Sequence, residues 1–335
     1  MNSASIWLKT FVAGFGVVST MLVVTLLTPA PYGDLSRIGR LSDAEFGWRA
    51  PPPPAPADAL KGVPVDQADV LVVGDSFSMT LYWQAPLVQA GLRVATVYWG
   101  QFGYLCRDFS QWAAQAGFKG RVVIVESVER LLDERLRKGD QCPTMMKAPV
   151  ARTTPFVKSF TEVPPSAFNW SAKLTTGLVT YRNTRRARQT EGDTLYGKDT
   201  QVRLVPEGCR QFSHRLCDRA LFFKDDVDNG PLTLETFELL KRFTASQSLR
   251  LIWMVIPNKT TVYIDPQHSK PFIEAFRAAG YGPDLFAFVQ KQRDQVPDFY
   301  FPNDTHISMH GQLALGELML EQVRKAWPAT PVRSP

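Results

Sequence analysis

Apolar and polar positions divide the chain into stretches of different character. Phe11 to Leu27 reads FVAGFGVVSTMLVVTLL without a charge, and only Lys9 and the amino terminus carry charge before it. That is near the ~17-residue minimum for crossing a bilayer, and Ile6 to Leu8 lengthen it. GDLSRIGRLSDAEFGWR follows, and then Pro51 to Pro54 with Pro56. Such a proline run neither continues a helix nor sits in a central strand, so it reads as a stiff spacer. From Ala68 the period changes. DVLVVG, ending at Gly74, is a buried β-branched strand, and Ser76 to Gly91 repeats its apolar residues at helical spacing. Leu92–Gly100, Arg121–Ser127 and Leu249–Pro257 read as further strands. Phe109–Phe118, Val128–Gly139, Leu232–Leu249, Pro271–Gly280 and His310–Trp327 read as helices.

Strands alternating with helices imply an α/β fold, a central parallel sheet covered on both faces. Between about 140 and 227 this regularity is lost, so the segment reads as an insertion or lid. The expected organisation is a membrane anchor over 1–30, a proline-rich linker over 31–66 and one catalytic domain over 67–330 with the insertion at about 140–227.

Composition narrows the classes. A hydrophobic fraction of 44% excludes global disorder, and the net charge of +6 favours an acidic polymer or a membrane surface as partner. No zinc-finger spacing, arginine-rich tail or aromatic RNA-binding signature accompanies the charge, so nucleic acid is not expected. The run Arg182, Arg185, Arg186 and Arg188 reads either as a solvated face or as an attractor for an anionic glycan. Pro29 and Pro31 interrupt the small-residue cleavage pattern of a signal peptide in TPAPYG, which favours an uncleaved anchor over a removed leader. A positive-inside count sets Lys9 before the span against Arg37, Arg40 and Arg49 after it and argues against export, whereas signal anchors lead their large domains across. Cys106, Cys142, Cys209 and Cys217 form an even set with no CxxC pair, which suits disulfides better than zinc. Three pairings are open, of which Cys209 with Cys217 is the simplest; the alternative is four reduced thiols.

The sharpest chemical signal is VVGDSFS, Val72 to Ser78, which places Ser76 on the turn after the first strand. There its hydroxyl projects over the carboxyl edge of the sheet and its N–H lies at a helix start. The bland alternative is helix capping by Asp75 and Ser76. A serine nucleophile needs a base and an acid to orient it. Of four histidines, His214 lies between the middle cysteines and His268 beside a proline, whereas His306 and His310 precede the last helix in FYFPNDTHISMHGQLALG. Asp304 stands two positions before His306 and suits the orienting role. His310 is the rival base, and a metal reading of His306 with His310 lacks a glutamate or third ligand.

GDSFS after the first strand and DTHIS before the last helix resemble the two ends of the SGNH, or GDSL-like, hydrolase superfamily. DTHIS followed by HG, together with VIPNKTTVY (Val255 to Tyr263), is similar to the alginate O-acetyltransferase type, a periplasmic branch that acetylates exopolysaccharides. The resemblance implies an SGNH-like three-layer fold with Ser76 as nucleophile, His306 as base and Asp304 as orienting acid. It further implies an exported domain on the inner membrane, a polysaccharide acceptor, a multispanning membrane acyltransferase as acetyl donor, and neither cofactor nor metal. Three features depart from the pattern. Ile307 replaces the usual Trp, Ser76 precedes the acid and base as in ordinary SGNH hydrolases, and VESVER (Val125 to Arg130) stands where many esterases carry a GxND block. Without that asparagine, worth about 3 kcal/mol as an oxyanion donor, the backbone N–H groups of Ser76 and Gly100 become the candidates. Glu126, Glu129 and Arg130 read as cleft residues or as a buried ion pair. The alternatives to transfer are an esterase using the same residues and a non-catalytic polysaccharide-binding subunit.

Overall fold

The computed structural model describes residues 2–327 except 158, 171 and 190; residue 1 of the expected anchor and residues 328–330 of the expected domain lie outside them. In chain order the elements are α1 (Ser3–Leu27), α2 (Asp34–Gly39), α3 (Asp43–Phe46), β1 (Val70–Gly74), α4 (Ala85–Gln89), β2 (Val94–Tyr98), α5 (Phe109–Gln115), β3 (Val122–Val128) and α6 (Glu129–Asp140). They continue with β4 (Ala151–Arg152), α7 (Thr176–Arg188), β5 (Thr194–Tyr196), β6 (Thr200–Leu204), α8 (Gly208–Gln211), β7 (Arg219–Phe223) and α9 (Asp225–Asp228). The last are α10 (Leu234–Ser246), β8 (Arg250–Ile256), α11 (Lys259–Tyr263), α12 (Lys270–Ala279), α13 (Leu285–Gln292) and α14 (Met309–Ala326). They fall into two compact units. One comprises residues up to Ala50, Val163–Lys224 and Phe301–Thr305; the other comprises Pro51–Glu162, Asp225–Tyr300 and the chain from His306 onward.

The larger unit is the expected α/β domain. Its five-stranded sheet has the order β4-β2-β1-β3-β8, parallel except for the short edge strand β4, which pairs antiparallel with β2. The β-branched runs form central strands because both faces are covered. Leu71, Val73, Val97, Val123 and Trp253 join a core that includes Phe109, Leu132, Leu240 and Phe272 of the helices. Val70 and Val72 on the other face are equally buried. α10 starts at a capping box between Thr233 and Thr236. β1 lies between β2 and β3, so the chain leaves it toward one side and returns to the other. The carboxyl end of β1 is therefore a topological switch point, the place where ligands bind in open α/β sheets.

The helix expected from Ser76 to Gly91 is broken. Ser76–Ser78 is a single 3₁₀ turn, Leu81 is left-handed (φ 57°), and α4 begins only at Ala85. Side chains supply the reason, since Trp83 Nε1 donates to Ser78 Oγ at 3.0 Å and Gln84 Nε2 to the Ser78 carbonyl at 2.9 Å.

The smaller unit corrects two expectations. Residues 31–50 are not spacer: Leu35, Leu41, Phe46 and Trp48 are buried, and the first three share a core with Ala187, Tyr196, Val202 and Leu221. Residues 163–224 are not an irregular insertion within a single domain. β5, β6 and β7 form an antiparallel sheet, tied to α2 where Thr200 Oγ1 donates to the Leu35 carbonyl at 2.9 Å. Residues 51–64 do remain without helix or strand, with prolines at 51–54, 56 and 64. The disulfides are Cys106–Cys142 in the larger unit and Cys209–Cys217 in the smaller. α1 is long and apolar enough to cross a membrane. At ~1.5 Å per residue its 25 residues span about 38 Å against a hydrocarbon core of ~30 Å.

Candidate active site

At the switch point β1 ends in Gly74, and Asp75 caps the turn by accepting the Phe77 N–H at 3.1 Å. Ser76 opens that turn half-buried, between neighbours that are fully buried. Its hydroxyl lies 2.8 Å from His306 Nε2, joining residues 230 positions apart. The Phe77 ring packs on the imidazole, with centroids 4.9 Å apart. Ser76 N–H, at the start of the turn, has no acceptor among the described residues.

The turn rests on a buried electrostatic group. Glu126 Oε2 accepts the Asp75 N–H and the Ser78 hydroxyl, both at 2.8 Å. Gly74 is required here, because a Cβ would lie 2.2 Å from Ser78 Oγ and 2.9 Å from Glu126 Oε2. Asp75 Oδ2 accepts Arg135 Nη1 at 3.0 Å and the Val128 N–H at 3.1 Å. Arg135 in turn lies over the Trp99 ring at 4.6 Å and donates to Ser127 Oγ at 2.7 Å. Arg135 pairs with Asp75, and the two neighbouring carboxyls shift in opposite directions. Burial pushes Asp75 up, but Arg135 and the Val128 and Phe77 N–H groups outweigh it and hold the carboxyl below its ordinary value. Burial, reinforced by the Asp75 charge, pushes Glu126 well above its ordinary value. Beneath Ser76 lies an ion pair, Asp75 with Arg135, and beside it a carboxyl whose hold on its proton is strengthened by burial.

His306 is positioned from the larger unit by the chain on either side. Tyr300 and Ile307 form an antiparallel bridge, Ser308 N–H donates to the Phe299 carbonyl at 2.9 Å, and Ser308 Oγ caps α14. Asp304 belongs to the smaller unit, where its Oδ2 accepts the Asp34 N–H at 2.9 Å. The Asp34 carboxylate returns two bonds to Thr305, at 2.9 Å to N–H and 2.6 Å to Oγ1. Asn303 O accepts the Leu35 and Ser36 N–H groups at 3.2 Å, and a Cβ on Gly33 would lie 2.3 Å from that oxygen. The start of α2 therefore clasps residues 303–305.

The other candidates sort clearly. His310, the rival base, has its Nε2 on the Pro51 carbonyl at 2.7 Å, so it and His306 do not converge on one point. His214 Nε2 is bonded to the Arg219 carbonyl at 2.8 Å. Gly100 lies exposed in a 3₁₀ turn after β2, and a Cβ there would meet the Tyr98 ring at 2.2 Å, a packing reason for the glycine. Glu129 and Arg130 belong to a second buried cluster: Glu129 accepts the Asn258 N–H and the Thr261 hydroxyl at 2.7 Å, and Arg130 pairs with Asp226 at 3.1 Å. Ile307 is 1% exposed and offers no surface platform. Sequence reasoning missed Arg135 and Asp34. Arg135 left a signal, a cation on the same helical face as the buried Leu132, Leu136 and Gly139. Asp34 left none. No protein-family model, curated protein or solved structure matches this chain.

Proposed function

We propose that the larger unit is a serine acyltransferase, held at the membrane by α1, that O-acetylates a cell-surface or secreted polysaccharide outside the cytoplasm. The observation that carries this reading is the 2.8 Å contact between Ser76 Oγ and His306 Nε2 at the sheet's switch point. His306 takes the Ser76 proton as Oγ bonds to the acetyl carbon of the donor, and the imidazolium gives that proton to the departing oxygen. An acceptor hydroxyl then yields its proton to His306, attacks the acetyl-serine, and releases Ser76 Oγ, which regains a proton. Asp304 is assigned the orienting role from its place two residues before His306. Ser76 N–H and Gly100 N–H are the assigned oxyanion donors. With acetyl-CoA absent outside the cytoplasm, a multispanning membrane acyltransferase is the donor that fits, and α1 keeps the domain beside it. The enzyme needs neither metal nor cofactor for these steps.

Hydrolysis is the second reading, favoured by the order of Ser76 before Asp304 and His306 in the chain. The test is incubation with an activated acetyl ester, with and without oligosaccharide. Acetylated sugar supports transfer and acetate alone supports the esterase. A wild type that neither turns over nor reacts with a serine-directed phosphonate overturns both and leaves a polysaccharide-binding subunit.

A further inference from the structure

The end of α1 is built into the smaller unit. Thr25, 2% exposed, donates its hydroxyl to the Leu174 carbonyl at 2.7 Å and accepts the Gly177 N–H at 3.2 Å. A Cβ on Gly177 would lie 2.7 Å from the Thr25 backbone and 2.8 Å from that of Val24, so only glycine lets α7 come this close. Just beyond, Ala30 N–H donates to the Ala167 carbonyl at 3.0 Å, and Pro29 forms a β-bridge with Phe168. Ala167, Phe168, Leu174 and Gly177 are therefore fixed at the level where α1 ends.

At that level the unit exposes side chains that its own fold does not use. Phe168 and Trp170 are 58% and 77% exposed and pack edge to face, 5.7 Å between centroids. Leu174, Leu178 and Tyr181 recur at i, i+4 and i+7 and are all exposed, while Gly177, Thr180, Thr184 and Ala187 turn the opposite face of α7 inward. Arg182 and Arg185 follow, exposed and without an ion pair among the described residues. Their neighbours are engaged, Arg188 with Glu45 and Arg186 over the Tyr196 ring. Beside a helix that exceeds the hydrocarbon thickness, this order has a physical meaning. Trp and Tyr favour the headgroup level, amphipathic helices lie in the interface, and free cations attract anionic lipid.

We propose that residues 167–170 and 172–185 rest on the same lipid surface that α1 spans, with Phe168, Trp170, Leu178 and Tyr181 among the headgroups and Arg182 and Arg185 against lipid phosphates. This rests on the reading of α1 as a retained span, and it makes α1 a fixed mount rather than a loose tether, because cutting after α1 removes Thr25 from its buried place.

Among the described residues no cysteine is free, so an introduced one takes a thiol label alone. The full chain is reconstituted in vesicles of phosphatidylcholine and phosphatidylglycerol with an environment-sensitive fluorophore at F15C, W170C, Y181C or L204C. Spin-labelled lipids quench either near the head or deep in the acyl chain. The 170 and 181 labels are expected to lose fluorescence to the shallow quencher, the 15 label to the deep one, and the 204 label, at another exposed apolar position of the unit, to neither. If 170 and 181 behave like 204 while 15 is quenched, the lipid-facing surface is refuted and the span stands. If 15 is not quenched, both fall. Replacing Arg182 and Arg185 with Gln is expected to abolish any extra quenching at 181 caused by anionic lipid; persistence of that increment overturns the role of the two arginines.

Discussion

Glu126→Gln isolates the electrostatics beneath the nucleophile. Glu126 Oε2 accepts from both Asp75 N–H and Ser78 Oγ, so a proton bound by Glu126 sits on Oε1, which has no partner among the described residues. Glutamine keeps the accepting oxygen but replaces one O–H with an amide bearing two N–H donors, which adds an offset that does not vary with pH, so the proton is read from the slope. The unfolded chain ionises this residue above its ordinary 4.5, whereas the folded chain, by burial and then by the Asp75 charge, holds the proton to higher pH. Between those two values the native state binds more protons, and wild-type stability falls as pH rises. The slope for one proton is about 1.4 kcal/mol per pH unit, and Glu126→Gln removes it. Urea unfolding of the detergent-solubilised protein from pH 4 to 8, read by hydrogen exchange at β1 and β3 amides, reports this unit alone. Relative to wild type the variant should gain about 1.4 kcal/mol with each pH unit until the folded value is reached. Parallel slopes would mean that Glu126 is an ionised acceptor and would refute the reasoning.

Other perturbations reach the site by different routes. His306→Ala should lower acetyl-ester turnover by about 10²–10⁴-fold and Ser76→Ala should abolish phosphonate labelling; unchanged labelling in Ser76→Ala removes the assigned nucleophile. Asp34→Ala removes two bonds to Thr305 within the smaller unit and should cost about 1–3 kcal/mol of that unit's stability in urea unfolding, whereas Asp34→Asn, which keeps one acceptor, should recover part of it. Asp75→Asn leaves Arg135 without its buried partner and should cost about 3–5 kcal/mol. Wild-type Asp75, held below its ordinary value, adds stability above that value, which is lost as pH falls through its folded one. Opening Cys106–Cys142, separated by 36 residues, should cost about 4 kcal/mol, and opening Cys209–Cys217, separated by 8, about 2.5 kcal/mol, measurable with Cys→Ser pairs.

The parallel strands were legible in the sequence because their signal is local. A strand covered on both faces reads as a near-continuous apolar run, as Val70–Val73 and Val122–Val125 do, and that run is visible without any distant contact. The apolar helix, the serine after β1 and the histidine before α14 were legible for the same reason. Only the tertiary structure decided the smaller unit. β5 and β6 are short and partly polar, and with β7 they pack on Leu35, Leu41 and Phe46, which stand far away in a segment that reads as spacer. It also decided the chemistry of GDSFS. The broken helix after Ser76 follows from Trp83 and Gln84 bonding back to Ser78. The raised proton affinity of Glu126 follows from burial, reinforced by the charge of an Asp75 that Arg135 keeps ionised. Hydrophobic period is written into neighbouring residues, whereas desolvation and hydrogen-bond partnership belong to groups that meet only once the chain has closed on itself.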